Sequence, residues 1–388
     1  MAQIDLASAR THETDPAKAA EELLQNLSGK TPKLAVIFAH SSIDQRALNA
    51  ALRERLPKAT RLIGASTLTP LDNSGYQPTG AMLGAMTGDF EVGVGVGRQI
   101  SGDAASAGAK AFTDAAQQLG VKPADLDPRR HVGLVIDDGY KLKKEEFLVG
   151  MLDVNPSITL VGGGASNTTP PGMGVEVHPE LHVDGEVVTD AVAVTLFRMD
   201  APWAAIRHHA YVPTNERVVI TKVDPSAKCA VELDGKRAVD RWSELAGVPV
   251  DELESKAALV TMSTAIKVGR EYFMRSPWKP LPDGSIMFAN MLTENTELHV
   301  MKLGDMPEML DHFLVDELPL KLQTPTGLIA FECGMRGLVS HMMGLNARMG
   351  AAFKKAPTVV GMAACFELCN GFQINSTMTG LAFGASRT

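Results

Sequence analysis

Three short polar clusters stand where side chains could do chemistry: His40-Ser41-Ser42, Asp137-Asp138 and Glu332-Cys333. Elsewhere, Arg275, Arg336, Glu332 and Glu367 have the chemistry to hold a zwitterion such as an amino acid. A guanidinium offers a planar fork to a carboxylate, and a carboxylate accepts from an ammonium. The competing reading pairs Arg275 with Glu367 as a structural salt bridge. Asp137-Asp138 could hold Mg²⁺ with a phosphate, although Asp before Gly commonly turns a chain. Cys333 with Cys365-x-x-x-Cys369 could offer three thiolates to zinc. The spacing contains no C-x-x-C, however, and a buried Cys packs as a small hydrophobe. Ser41, Ser66 and Ser166 lack the G-x-S-x-G elbow of a serine nucleophile. Ser66 and Ser166 both end a Gly-Ala-Ser step, which favours a shared turn or polar lining. A haem needs an axial His, Cys or Met. With no C-x-x-C-H present, covalent c-type attachment is excluded, and His40 and His341 are the candidate ligands. No metal site is expected.

The elements that must position these groups recur. Residues 34–42 (LAVIFAHSS), 132–139 (VGLVIDDG) and 327–334 (GLIAFECG) are apolar runs ending in a polar tip. A helical stretch follows each one, then a second apolar run: 62–67 (LIGAST), 160–167 (LVGGGASN) and 359–365 (VVGMAAC). Ile37 to Ile63 and Leu134 to Leu160 are both 26 positions, and Ile329 to Val359 is 30. Buried continuous strands joined by a helix read as parallel strand–helix–strand units. An open α/β sheet binds ligands at the ends of such strands. The spacing predicts that units one and two superpose with Ser66 and Ser166 equivalent, and that unit three carries a longer helix. The fold class is therefore α/β: two halves with mixed sheets and internally duplicated strand–helix–strand units.

Asp15-Pro16 should cap a helix over 17–27, giving a helical extension at 1–29. The turn Thr87-Gly88-Asp89 between two apolar strands reads as a hairpin, and 186–197 as a strand resuming the first sheet. Residues 69–80 and 168–174 read as loops. The composition changes near 201–214, which places a domain boundary close to residue 205: 30–205 and 206–388.

A chain of 388 residues with 45% hydrophobic and 21% charged content is normal for a globular protein of two or more domains. A net charge of −8 argues against a nucleic-acid partner. The start of the chain has no secretory signal pattern, and no apolar run is long enough to span a bilayer. A cytoplasmic protein with reduced thiols is expected.

The order of motifs over both halves resembles a FIST-domain protein, with FIST N-terminal and C-terminal domains. The first half carries LIGASTLTP, GVGVGRQIS, IDDG and VGGGASN. The second carries ELDGKRAVDRW, REYFMRSP, DGSIMFAN, FECGMRG, VVGMAACFE and INSTMTGLAFG. The resemblance implies a sensory module that binds a small ligand, with some members reported as haem proteins that sense nitric oxide. By resemblance, Glu367, the Asn375-x-Thr377 element, Cys333 with Arg336, and Arg275-Ser276 match characteristic positions. Phe366 stands where the family commonly has Gly, which implies a changed pocket wall. The expected function is a small-molecule sensor for a small polar ligand, with an amino acid as one candidate by the chemistry above. Its anchors would be Glu367, Asn375, Thr377, Arg275, Arg336, Glu332, Cys333, Ser166 and Asn167. No cofactor is predicted, with haem the alternative, and an enzyme acting on a small polar substrate is the second alternative. The signal would pass to a separate protein, such as a histidine kinase or a cyclic-nucleotide enzyme.

Overall fold

The computed structural model describes residues 2–27, 31–167, 179–224, 228–255, 258–288 and 290–385. The loop expected at 168–174 lies outside them. Twelve framework strands fall into three sets of four with one topology. The first set is β1 (Ile4–Thr11), β2 (Leu34–His40), β3 (Arg61–Thr67) and β4 (Ala81–Gly88). The second is β5 (Phe90–Arg98), β6 (His131–Asp138), β7 (Thr159–Ala165) and β8 (Ala191–Met199). The third is β9 (Trp203–His208), β10 (Pro325–Cys333), β11 (Thr358–Cys369) and β12 (Met378–Gly384). In each repeat the first strand lies beside the fourth, the fourth beside the second, and the second beside the third. Only the second–third pair is parallel. A helix crosses over between those two strands, as a parallel pair requires.

The repeat explains two departures from the sequence reading. Residues 4–11 form a strand, not part of a helical extension, because they are the first strand of repeat one and pair with β4. Chain 81–98 is not a hairpin. β4 pairs with β1 and β2, whereas β5 pairs with β8 in another sheet, so Thr87-Gly88-Asp89 links two repeats. Similarly, 186–197 is split. Glu186–Val188 extends the first sheet and β8 joins the second, with the chain turning at Asp190 (φ 48°).

Parallel register fixes which residues correspond. Ile37 pairs with Gly64, Val135 with Gly162 and Ala330 with Gly361. A Cβ on these glycines would lie 1.8, 1.8 and 2.8 Å from the neighbouring carbonyl oxygens of Ile37, Val135 and Ala330. The same close backbone approach therefore occurs once in every repeat, and it demands Gly. Aligned on it, Ser66 corresponds to Gly164 and Ala363, not to Ser166, which corrects the equivalence expected from the shared Gly-Ala-Ser. The strand tips also align. Ala39, Asp137 and Glu332 correspond, and the two acids each pair with a cation on the helix that follows, Lys144 and Arg336.

Repeat one, extended by a short hairpin at 181–188, forms a 6-stranded sheet. Repeats two and three share an 11-stranded sheet, joined where β11 runs antiparallel to β7. The two sheets pack face to face through one apolar layer that includes Phe38, Ile136, Phe331 and Phe383. Phe38 and Phe331 meet edge to face at 5.8 Å. Helices cover both outer faces, giving four layers, α/β/β/α. On the first sheet these are α1 (Pro16–Gln25) and α2 (Gln45–Arg55), capped by the Asp15 and Asp44 carboxylates. On the second they are α3 (Ala104–Gln118) and α4 (Lys144–Val154), then α5 (Met306–His312), α6 (Gly334–Met342) and α7 (Asn346–Phe353). The long helix expected in unit three is two helices, broken at Gly344 (φ 67°).

Between β9 and α5 the third repeat holds an insertion, an 8-stranded sheet running from Tyr211–Asp224 to Thr296–Leu303. No helix among the described residues is long and apolar enough to cross a membrane.

Candidate functional site

The end of β10 and the middle of β11, where their parallel pairing stops at Cys333 and Ala364, face a cavity of about 500 Å³. Its floor is the start of α6 (Cys333, Gly334, Met335, Gly337) and the strand run Ala363–Phe366. Repeat one supplies Leu68, Thr69, Tyr76 and Pro78, and repeat two supplies Tyr140 and Ser166. The insertion adds Trp278, and His341 and Asn346 stand at the α6–α7 side. Among the described residues no Asp, Glu, Lys or Arg lines the wall. Such a cavity, largely apolar with a few polar groups, is the usual form of a small-molecule site.

Of the residues expected from sequence, Cys333, Ser166 and His341 line this cavity. Ser166 is committed to structure. Its hydroxyl donates to the Ala363 carbonyl at 2.8 Å and accepts from the Leu68 N–H at 3.1 Å. One side chain thereby ties all three repeats. Asn167 accepts through its carbonyl from Ser41 Oγ at 3.0 Å, and its buried Oδ1 has no partner among the described residues.

Glu332 and Arg336 lie behind the wall as a buried ion pair, Nε to Oε1 2.9 Å. Tyr76 connects them to the cavity: its ring lines the wall and its hydroxyl donates to Glu332 Oε1 at 3.0 Å. Burial pushes the Glu332 carboxyl up, and Arg336 and the Tyr76 hydroxyl oppose that shift. Arg336 also donates through Nη1 to the His208 carbonyl at 3.2 Å, at the end of β9. Its Nη2 and the other oxygen of Glu332 are buried with no hydrogen-bond partner among the described residues.

Glu367 and Thr377 form a second buried unit off the cavity wall. Glu367 Oε2 accepts from the Thr377 N–H (3.1 Å) and hydroxyl (2.8 Å). Burial pushes the Glu367 carboxyl up to about 8, against those two hydrogen bonds, so it is mostly protonated at neutral pH.

Asn375 and Arg275 dock the insertion. Asn375 accepts from the Ser276 N–H at 2.7 Å and donates to the Ser276 carbonyl at 3.0 Å. Arg275 donates to Glu145 of α4 at 2.7 Å; this, not Glu367, is its carboxylate partner. His40 sits at the tip of repeat one, away from the cavity wall, with Nδ1 2.7 Å from Ser42 Oγ. Burial pushes its pKa down.

Both thiols at the cavity, Cys333 and Cys365, are pushed up by burial. A thiol held protonated is a poor nucleophile and a poor metal ligand. Among the described residues no group of three His, Cys, Asp or Glu side chains could hold a metal ion.

The aromatic wall was largely missed from sequence. Tyr76 belongs to a stretch read as loop that forms two short strands, Pro70–Asp72 and Gly75–Tyr76. Trp278 comes from the insertion. Phe366 was the visible signal. It occupies the left-handed region (φ 60°) at the bulge between Cys365 and Glu367, and its ring meets Trp278 edge to face at 5.4 Å.

No curated protein matches the chain. Among solved structures, PurLQS from Thermotoga maritima aligns over 100% of this chain and 74% of that one, at 10% identity. Its TM-score of 0.20 carries no argument. The FIST N domain matches residues 33–236 and the FIST C domain residues 238–370. With both domains matched in that order along nearly its whole length, the chain belongs to the FIST family.

Proposed function

We propose that the chain is a small-molecule sensor whose ligand occupies the cavity where the parallel pairing of β10 and β11 ends. FIST domains are small-ligand sensory domains, and the observation that carries the reading here is the composition of the wall. All three repeats and the insertion contribute to it. A ligand there contacts four pieces of chain at once, so occupancy can stabilise one arrangement of them over another, which is what a sensor requires. The output passes to a separate signalling protein. A zwitterionic amino acid suits the wall poorly, because none of the described residues that line it is an Asp, Glu, Lys or Arg. Nucleophilic catalysis by Cys333 is disfavoured by its raised pKa.

The test is native mass spectrometry of the purified protein beside a variant with the cavity filled, Gly337→Leu. A Cβ at Gly337 would lie 3.3 Å from the Tyr76 ring, a contact that a small ring shift relieves. The expected result is a retained small-molecule mass in the wild type and its loss in the variant, with unchanged circular dichroism. A mass retained equally by both proteins refutes the site. An absorption spectrum of the same sample reports haem, for which His341 is the histidine at the wall.

A further inference from the structure

We propose that the cavity selects an uncharged, planar aromatic ligand, seated against the corner formed by Trp278 and Phe366. The inference rests on the cavity being the ligand site and goes on to name the ligand's class. Three independent observations carry it.

The first is electrostatic. Two buried ion pairs lie off the wall, Glu332 with Arg336 and Asp137 with Lys144, each turned on itself, and the Tyr76 hydroxyl connects the first to the cavity. A charged ligand would lose its hydration and find no counter-charge among the described residues of the wall. The second is compositional. Aromatic residues are 5% of the chain, yet the wall gathers Tyr76, Tyr140, Trp278 and Phe366 from four separate segments. Flat faces of this kind favour a flat partner, through stacking and edge-to-face contact.

The third is strain. Phe366 has φ 60°, where a Cβ is unfavourable and Gly is at ease. A backbone bulge alone would be better served by Gly. The strained residue carries a ring that is only 8% exposed, set 85° to Trp278. Backbone strain persists at sites where the side chain it presents is used. Beside the rings the wall offers hydrogen-bonding groups at Asn346, which accepts from Ser340 Oγ at 2.7 Å, and at the exposed His341. A ring with one hydrogen-bonding edge suits that arrangement.

The experiment is calorimetric titration of the full chain with 2-naphthol, 2-naphthoate and choline. The proteins are the wild type, Phe366→Leu and Gly337→Leu. The wild type should bind 2-naphthol, with 2-naphthoate and choline each weaker by about a hundredfold. Phe366→Leu, which keeps apolar bulk and removes the ring, should weaken 2-naphthol by roughly tenfold. Gly337→Leu should abolish its binding. If 2-naphthoate or choline binds as tightly as 2-naphthol and Gly337→Leu blocks it, the ligand class is wrong and the site stands. If Gly337→Leu leaves 2-naphthol binding unchanged, the site itself fails. Absence of 2-naphthol binding to the wild type overturns the proposal.

Discussion

Replacing Glu367 by Gln should change how the stability of this protein depends on pH. Glu367 is fully buried, and its carboxyl titrates near 8 when folded against 4.5 for an ordinary Glu. The folded state therefore holds a proton that the unfolded state has released throughout that window. The unfolded chain binds fewer protons, so stability falls as pH rises. The favourable term is fully present below about pH 4.5 and gone above about pH 8. One pKa unit is worth between roughly 1 and 2 kcal/mol, so the full change is on the order of 5 kcal/mol. Gln keeps the oxygen that accepts from Thr377 and cannot titrate. Urea unfolding at steps from pH 5 to pH 8 should show the wild type losing stability relative to Glu367→Gln, with most of the divergence above pH 6. Parallel profiles for the two proteins would refute the reasoning and would mean that Glu367 is ionised in the folded state at neutral pH.

Asn375→Ala should cost about 2–4 kcal/mol, because it strands the buried Ser276 N–H and carbonyl together. Faster amide exchange at Ser276, with the framework strands still protected, is the readout. Gly162→Ala and Gly64→Ala should each destabilise by more than about 4 kcal/mol or abolish soluble expression, since the added Cβ would lie 1.8 Å from a carbonyl oxygen. Gly361→Ala, at 2.8 Å, should be milder, and thermal unfolding ranks the three. Tyr76→Phe removes a hydrogen bond to a buried carboxylate and should cost roughly 1.5–3 kcal/mol in urea unfolding.

The strand–helix–strand units were legible because their strands are continuous apolar runs and their spacing repeats. β1 was not, because Ile4–Thr11 mixes Asp, Ser, Arg and Thr with its apolar residues and declares itself only by pairing with β4. Thr87-Gly88-Asp89 has the chemistry of a turn, but local sequence cannot say that the chain changes sheet there. The Gly-Ala-Ser match misled for a related reason: register is set by the close approach at Gly64 and Gly162, two residues out of step with the shared letters. At the site, Phe366 was visible as a bulky residue where Gly is usual. Arg275 and Asn375 have ligand-binding chemistry in isolation, and only the fold shows that it is used on Glu145 and Ser276. Tyr76 and Trp278 reach the cavity from distant segments, which no spacing reveals.

The insertion leaves the third repeat and returns to it at nearly the same point. Its first and last strands pair, Tyr211 opposite Leu303, and the Gly304 N–H donates to the Ala210 carbonyl at 2.8 Å. Its ends are thus already adjacent, and excising it requires no new long connection across the repeat. It is held to the rest by ties such as Asn375 to Ser276, Arg275 to Glu145 and Lys228 to the Leu142 carbonyl. Through Trp278 it gives the cavity one face. Ancestry can therefore treat it as an exchangeable cassette. A graft that preserves the two paired ends and the docking contacts can replace one side of the binding chamber while the four-layer frame keeps its own packing, so recognition can diversify among relatives without putting folding at risk.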